Sequence, residues 1–477
     1  MAQVVAAMPR FCPITSPVQL AFTGPLESSI TSLTIKTDGQ PPRARHLSVS
    51  AGPTVRVSRM VSPRRKRLPL MGWMALSWFL VIDVLTSVQA GPISLSGLFT
   101  IATALLCVWY LALIYIKKHG EVPRKAVPWP LVAFLLLSWV QLLFGPSLLG
   151  VQNVAVYTGF IGAMLAAARW APVWQTTSFL RALRLVAITA PLIFLIAWAA
   201  GVQVYGERAY ALTAMLFTAV LIPYRGQRLA YKAGPYLVVA TIFLSLSRTA
   251  AIIAAVLLVF TAVRSRRRYR VARAAALASV VGVALFWAVT SYAPFRDRFL
   301  VGDQALAVGG LNISTSGRSA LWGALIDSAA EAPWFGHGPG SSNQLMIDVF
   351  DGIAHPHNDY LRLYHDSGIV GASLFTAGLL ILIYRVWLRV CRTDDQIHWV
   401  AFLSLLGGAI AAVTDNVIVY AFVVVPLGVI VGCSLAQPVP TKRRKRRILP
   451  NQAAALHQLN PTDPSGYNTQ RPKEITR

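Results

Sequence analysis

Repeated apolar runs of about 20 residues, the length of a membrane-spanning helix, constrain this 477-residue chain more than any other feature. Backbone amides in hydrocarbon must pair within their own segment, so only helices can form such spans. The chain has 13% charged residues, against roughly 25% in soluble domains. We therefore predict an all-α polytopic membrane protein, which excludes a compact cytosolic enzyme and a disordered basic tail protein. The twelve predicted spans are roughly 68–90, 93–116, 127–147, 149–170, 181–203, 209–223, 231–247, 248–264, 271–290, 368–388, 398–414 and 416–436.

The formal net charge of +26 is distributed unevenly along the chain. With the N-terminus inside, 29 of the 44 Lys and Arg fall at the cytoplasmic ends of these spans, as the positive-inside rule requires. The opposite side receives six arginines: Arg208, Arg248, Arg296, Arg298, Arg318 and Arg362. We interpret the basic excess as an orientation signal with some attraction to anionic lipid. No nucleic-acid partner is needed to explain it.

This topology divides the chain into five parts: a disordered cytoplasmic leader (1–62), transmembrane helices 1–9 (63–290), a large periplasmic loop (291–367), helices 10–12 (368–437) and a basic disordered cytoplasmic tail (438–477). A loop of this length is usually functional. Within it, Ser319–Glu331 should form a short helix with Leu321, Leu325 and Ile326 on its inner side. The glycines around Pro339 should form a tight loop after that helix, and 358–366 should be helical and continue towards the next span.

The densest polar cluster of the loop is His355-Pro356-His357-Asn358-Asp359-Tyr360, followed by Arg362, His365 and Asp366. Imidazole, with an ordinary pKa of about 6.5, is the natural proton acceptor at neutral pH. On a helix, Asp359 and Arg362 would share a face, as would Arg362 and Asp366. Two other interpretations stay open here: a solvated, charged helix start capped by Asn358 or Asp359, and a metal site made of His355, His357 and Asp359.

Two arginines on the outer side are further candidates. Arg248 stands between two apolar runs, where an arginine is costly unless it faces a polar cavity or extends to the lipid headgroups. Arg318 directly precedes the predicted short helix of the loop. Guanidinium groups form bidentate bonds to phosphate oxygens and stay charged, so two arginines and a histidine would suit a diphosphate leaving group and a hydroxyl nucleophile. Asp83 and Asp415 are weaker candidates that could cap a helix or form a pair inside the bundle.

Three motifs resemble the O-antigen ligase and polysaccharide polymerase superfamily of bacterial membrane glycosyltransferases. They are Ser247-Arg248-Thr249, then Gly317-Arg318 with the later Pro333-Trp334-Phe335-Gly336-His337-Gly338-Pro339-Gly340, and finally His357-Asn358 followed after nine residues by Gly368-Ile369-Val370-Gly371. The last is similar to the family's His-Asn-x9-Gly-x-x-Gly signature. Twelve spans with one large outer loop before the tenth also match. The resemblance covers roughly 68–436.

The resemblance implies transfer of a glycan from an undecaprenyl-diphosphate carrier to an acceptor sugar hydroxyl at the periplasmic face of the inner membrane. His357 would be the general base, and Arg248 and Arg318 would bind the diphosphate. Transfer would invert the anomeric carbon and use neither metal nor cofactor. The supporting residues would be His355, Asn358, Asp359, Arg362, Gly368 and Gly371.

The resemblance leaves the acceptor open. The same motifs serve ligation onto lipid A-core and polymerisation of repeat units, with polymerisation slightly favoured, and other polysaccharide-assembly proteins are possible partners. The competing function is a twelve-span transporter or flippase for lipid-linked glycans. Such proteins place polar groups near the midplane, whereas here the polar chemistry is concentrated in one outer loop, which favours the enzyme. A structural or regulatory membrane protein is a third class.

Overall fold

A computed structural model of the chain describes residues 68–438, with gaps at 69, 83, 85–87, 91–92, 117–126, 172, 225–228, 264–269, 301–305, 309–310, 314–316, 351–354 and 394. The predicted leader, Asp83, several of the basic junction clusters and nearly all of the tail therefore lie outside the described residues. The described part confirms the all-α class, because its elements are helices apart from two short antiparallel strand pairs.

The helices follow the predicted apolar runs closely. Their bounds are α1 Leu70–Val81, α2 Leu95–Ile116, α3 Trp129–Phe144, α4 Leu148–Trp170, α5 Val173–Ala199, α6 Glu207–Leu221, α7 Leu229–Leu244, α8 Arg248–Val263, α9 Arg270–Ser291, α10 Ala293–Leu300, α11 Arg318–Ala329, α12 Ser341–Val349, α13 Asp359–Thr393, α14 Gln396–Ala411 and α15 Ala421–Ala436. A 3-10 turn at Ile222–Tyr224 follows α6. The strand pairs are β1 Gln89–Ala90 with β2 Ile93–Ser94, and β3 Leu306–Val308 with β4 Leu311–Ile313.

Each of the twelve predicted spans coincides with one helix, namely α1–α9 and α13–α15. Among the described residues, five of these helices (α2, α4, α5, α9 and α13) are long and apolar enough to cross a membrane by length and composition. Helices α6 and α15 are buried over almost their whole circumference, as expected of helices at the centre of a bundle. The twelve-span count itself remains a prediction.

Helix α11 corrects one detail of the sequence analysis. Leu321 and Leu325 are buried as predicted and pack with Met346 of α12. Ile326, which we expected on the same inner side, is 48% exposed. The reason is that α11 packs through one narrow stripe, and the position after Leu325 turns about 100° away from that stripe on a helix of 3.6 residues per turn.

A kink at Gly368 inside α13 provides the docking site for the loop that follows α11. The backbone of Gly368 has φ 63° and ψ −172°, so neighbouring backbone groups lose their partners within the helix. The loop replaces them: the N–H groups of His337 and Gly338 donate to the carbonyls of His365 and Asp366. In the other direction, the N–H groups of Ile369 and Val370 donate to the carbonyls of Pro333 and Trp334. The Pro-Trp-Phe-Gly-His-Gly motif and the Gly-x-x-Gly motif are thus two halves of one contact.

We predict that Gly368→Ala destabilises the protein by about 2 kcal/mol or more, since a non-glycine residue at this φ is strained. A Cβ there would also lie 2.2 Å from the backbone carbonyl carbon of Trp334. The matched control is Gly323→Ala on α11, where a Cβ meets nothing within 4 Å and the helix should gain about 0.5–1 kcal/mol. Thermal unfolding of both variants in detergent measures the difference. Equal midpoints for the two variants would contradict this account of the kink.

Candidate active site

The three residues that the sequence singled out for chemistry line one cavity. Arg248, Arg318 and His357 face a space of about 300 Å³. Its other lining residues are Glu207, Arg208, Ser245, Leu246, Ser247, Thr249 and Asp415. We call this space the arginine cavity. It collects the start of α6, the turn between α7 and α8, the start of α11, His357 two residues before the start of α13 and the segment after α14, so five distant parts of the sequence meet there.

The Ser-Arg-Thr motif presents Arg248 to the cavity. Ser247 is the N-cap of α8, because its hydroxyl accepts a bond of 3.4 Å from the N–H of Ala250. Thr249 is hydrogen-bonded through its hydroxyl to Thr414 at 2.9 Å. Arg248 lies between them as the first residue of α8 and is half-buried. It therefore faces a polar cavity, and the alternative of an arginine extended to the lipid headgroups is not needed.

Arg318 is held from the other side of the cavity. It is the first residue of α11, and its Nη1 donates to the backbone carbonyl of Thr414 at 2.8 Å. Burial lowers the pKa of Arg318 to about 10; the charges of Arg208 and Arg248 act in the same direction and Asp415 opposes them. The guanidinium remains protonated at neutral pH, so at least three positive charges share this small volume.

His357 is in direct contact with a fourth residue, Arg208. The Arg208 guanidinium forms an ion pair with Asp415. It also contacts both ring nitrogens of His357: its Nη1 lies 3.3 Å from Nε2, and its Nη2 contacts Nδ1. His357 has a left-handed backbone, φ 58°. Burial, followed by the charges of Arg208, Arg318 and His355, lowers the pKa of His357 to about 3. The ring is therefore neutral at physiological pH.

His355, the second histidine of the cluster, has a different environment. Its Nδ1 lies 2.7 Å from Nδ2 of Asn343 on α12, and its ring packs edge-on against Tyr420. Burial lowers the pKa of His355 to about 4. It is not among the residues that line the arginine cavity. Of the two histidines, His357 alone faces this cavity.

The acidic residues after His357 form a buried ion network rather than a solvated helix start. Arg362 is fully buried, with Nε 3.0 Å from Asp359 and Nη1 3.7 Å from Asp366. Asp359 also accepts the backbone N–H groups of Val417 and Ile418, at 2.5 and 2.7 Å. The i,i+3 and i,i+4 pairings agree with the prediction, and the alternative interpretation of a solvated, charged helix start is wrong.

The cap of α13 is Asn358, whose side-chain oxygen accepts the N–H groups of Tyr360 and Leu361 at 3.1 Å. Asp359 is occupied by Arg362 and two backbone amides, so it does not join His355 and His357 as a metal ligand. Across the described residues, no three His, Cys, Asp or Glu are grouped as metal ligands. Gly368 forms the kink of α13, and Gly371 lies one turn later against Ser367.

Two lining residues were not selected from the sequence. Arg208 was noted only as one of six outer arginines, and Asp415 only as a weaker candidate that could form a pair. The structure joins them in the ion pair that contacts His357. The one sequence signal was the position of Arg208 beside an apolar run on the side that carries few basic residues.

Comparison with known families covers the central part of the site. Residues 236–376 match the family model described as O-antigen ligase. The matched range contains Arg248, Arg318 and His357, whereas Arg208 precedes it and Asp415 follows it. A comparison with curated proteins found no match. The match over residues 236–376 therefore confirms that the chain resembles the O-antigen ligase and polysaccharide polymerase superfamily.

Proposed function

We propose that this protein is an inner-membrane glycosyltransferase of cell-surface polysaccharide assembly. It moves a glycan from an undecaprenyl-diphosphate carrier to a hydroxyl of an acceptor sugar. The observation that carries the proposal is the meeting of Arg248, Arg318 and His357, from three separate motifs, in one cavity. The family match over 236–376 supports the same reaction class.

The diphosphate binds to the arginines. Arg248 and Arg318 are each the first residue of a helix, where the helix dipole disfavours a positive charge and favours an anion. A diphosphate would relieve this repulsion, accept bidentate bonds from the guanidinium groups and lie at two helix N-termini. The same contacts stabilise the negative charge that grows on the diphosphate as it departs.

His357 is the base. The acceptor hydroxyl oxygen attacks the anomeric carbon of the donor, and the bond from that carbon to the diphosphate oxygen breaks. The proton of the hydroxyl goes to a ring nitrogen of His357, and the carrier diphosphate leaves with the bonding electron pair. Attack opposite the leaving group inverts the anomeric carbon. The lining residues perform these steps without a metal or cofactor.

Donor binding prepares the base. In the free protein Arg208 contacts both ring nitrogens, and burial together with the arginine charges holds the pKa of His357 at about 3. A bound diphosphate competes for Arg208 and neutralises part of the positive field, and a nearby negative charge raises the pKa of an imidazole. His357 therefore becomes a stronger base when the donor is present, and Arg208 with Asp415 acts as its positioning pair.

The position of the cavity supports the proposed topology of twelve spans with both termini in the cytoplasm. Alternating spans would place the starts of α6, α8 and α13 and the ends of α7 and α14 on the periplasmic side. Residues next to these five helix ends line the arginine cavity or contact its groups. The cavity thus lies at one end of the bundle, which favours an enzyme of the periplasmic face over a transporter with a midplane site.

The catalytic assignment is tested by two substitutions. His357→Ala should lower transfer about 10²–10⁴-fold, the usual contribution of general base catalysis, while His355→Ala keeps measurable transfer. Arg318→Lys should lower transfer at least about tenfold, since the point charge of a lysine cannot form the bidentate bonds of a guanidinium group. The control is Arg296→Lys, a half-exposed arginine of the same predicted loop. Full activity of His357→Ala or Arg318→Lys would refute the corresponding role.

These variants are measured by complementation of a deletion strain, and its glycans distinguish the two reactions. Loss of long chains with single repeats still attached to the acceptor indicates a polymerase, which the motifs slightly favour. Carrier-linked polymer that never reaches lipid A-core indicates a ligase. An unchanged glycan profile in the deletion strain would count against both.

The pH dependence follows from the environment of His357. Because the pKa of His357 in the free protein is lowered to about 3, its protonation should not reduce kcat/KM as the pH falls from 7 to 5. In the donor complex the pKa is raised, so kcat should decline at a higher pH than kcat/KM. Initial rates across this range give both profiles. A kcat/KM profile with an acid limb at the ordinary value of about 6.5 would contradict the arrangement.

The topology is tested with a thiol reagent that cannot cross the membrane. Asp327→Cys, at an exposed position of α11, should react in intact spheroplasts. The native Cys391 is exposed and predicted to be cytoplasmic, Cys12 belongs to the predicted cytoplasmic leader, and Cys107 and Cys433 are buried, so the parent protein should react only after lysis. Labelling of the parent before lysis, or of the variant only after lysis, would overturn the proposed orientation.

A further inference from the structure

A second cavity, of about 470 Å³, lies between the turn that joins α3 to α4 and helix α12. Its polar lining consists of Ser147, Ser328, His337, Ser341, Gln344, Asp348 and His365. This volume falls within the range of small-ligand sites. The cavity shares no lining residue with the arginine cavity. We call it the α12 cavity.

The charge of the α12 cavity is opposite to that of the arginine cavity. Among the described residues, no Lys or Arg lines it, and Asp348 contributes a carboxylate. A diphosphate would therefore be repelled. The lining instead offers hydroxyl, amide, imidazole and carboxylate groups, which together can donate and accept hydrogen bonds. This set suits an uncharged ligand with many hydroxyl groups.

The polar groups are held in place before any ligand binds. Gln344 donates to the carboxylate of Asp348 at 2.8 Å, so an amide and a carboxylate stand side by side one helical turn apart. Both side chains are exposed. His337 lies 2.9 Å from the carbonyl of Ser328, and its ring is stacked on His365 at 4.7 Å. Such preorganisation lowers the entropic cost of binding.

The backbone contact beneath the cavity is tight. Gly340 has φ 84°, and a Cβ there would lie 2.6 Å from the backbone nitrogen of Gly150. Asp366 fixes the start of α12 by accepting the N–H groups of Gly340 and Ser342, at 3.1 and 2.8 Å. The cavity wall is therefore part of the rigid frame rather than a flexible surface loop.

Two connections join this cavity to the proposed reaction site. Asn343, on the other side of α12 from Gln344 and Asp348, contacts His355, two residues before His357. Asp366 also pairs with Arg362, whose partner Asp359 holds the backbone that follows Asp415. A ligand in the α12 cavity would thus be bound on the same frame that positions His357 and Asp415.

We propose that the α12 cavity is a binding subsite for an uncharged sugar of the glycan, separate from the diphosphate site, with Gln344 and Asp348 as the pair that recognises its hydroxyl groups. This rests on the proposed glycosyltransferase function. A carboxylate accepts hydrogen bonds from two neighbouring hydroxyls, and the amide supplies both a donor and an acceptor. The sugar belongs either to the acceptor chain or to the chain on the carrier, and both offer the same chemistry.

The test uses the full-length protein in lipid nanodiscs and two probes. One is neutral oligosaccharides released by mild acid from the surface polysaccharide of the source cells, and the other is inorganic diphosphate. Asp348→Asn and Gln344→Ala should each weaken oligosaccharide binding at least about tenfold, as expected for lost hydrogen bonds to a charged or amide group, and leave diphosphate binding unchanged. Asp327→Asn, an exposed carboxylate of α11 that does not line the cavity, should bind both probes like the parent.

Steady-state transfer then identifies the source of the sugar. A raised KM for the acceptor with kcat within about twofold assigns the subsite to the acceptor chain, whereas a raised KM for the lipid-linked donor assigns it to the donor chain. Oligosaccharide binding that is absent in the parent, or equal in the parent and both variants, overturns the subsite. Failure of the proposed glycosyltransferase function gives a different result. In that case neither the parent nor Arg318→Lys binds inorganic diphosphate.

Discussion

The buried ion network of Asp359, Arg362 and Asp366 is the interaction on which both cavities depend. Arg362 is fully buried, and charges so placed are stable only with close partners. Asp359 holds the amides of Val417 and Ile418, and Asp366 holds the start of α12. One arginine therefore fixes the segment that carries Asp415, the helix start that follows His357, and the wall of the second cavity. Arg362 thus holds three separate segments in fixed positions relative to one another.

The arginine cavity concentrates several features that local preferences disfavour. Two of the helices around it begin with arginine, and two of its lining residues, Leu246 and His357, adopt a left-handed backbone. Sites where local preference and observed structure disagree are commonly functional, because the unfavourable arrangement is maintained by its surroundings. In the proposed function, an anion bound among Arg208, Arg248 and Arg318 would offset the repulsion between their positive charges.

Much of this arrangement could be predicted from the sequence, because its signals are local. The apolar runs predicted the positions of α1–α9 and α13–α15, and the spacing of Asp359, Arg362 and Asp366 predicted their pairing on α13. The contact of Arg208 with Asp415 and His357 joins residues 207 and 149 positions apart, and no local pattern reports such a pair. Burial of the Asp359 cluster was missed for the same reason, since the amides that satisfy it belong to a segment beyond α14.

The opposite charges of the two cavities have a consequence for a substrate that is anionic at one end and neutral at the other. Three arginines attract a diphosphate, while Asp348 repels it from the α12 cavity and leaves that cavity to hydroxyl groups. Electrostatic complementarity of this kind fixes orientation more than it adds affinity. Under the proposed function, the charges of the two cavities would orient a lipid-linked glycan and its acceptor before any bond changes. In the proposed mechanism His357 gains basicity only when the diphosphate arrives, so that correct placement and activation of the base become one event.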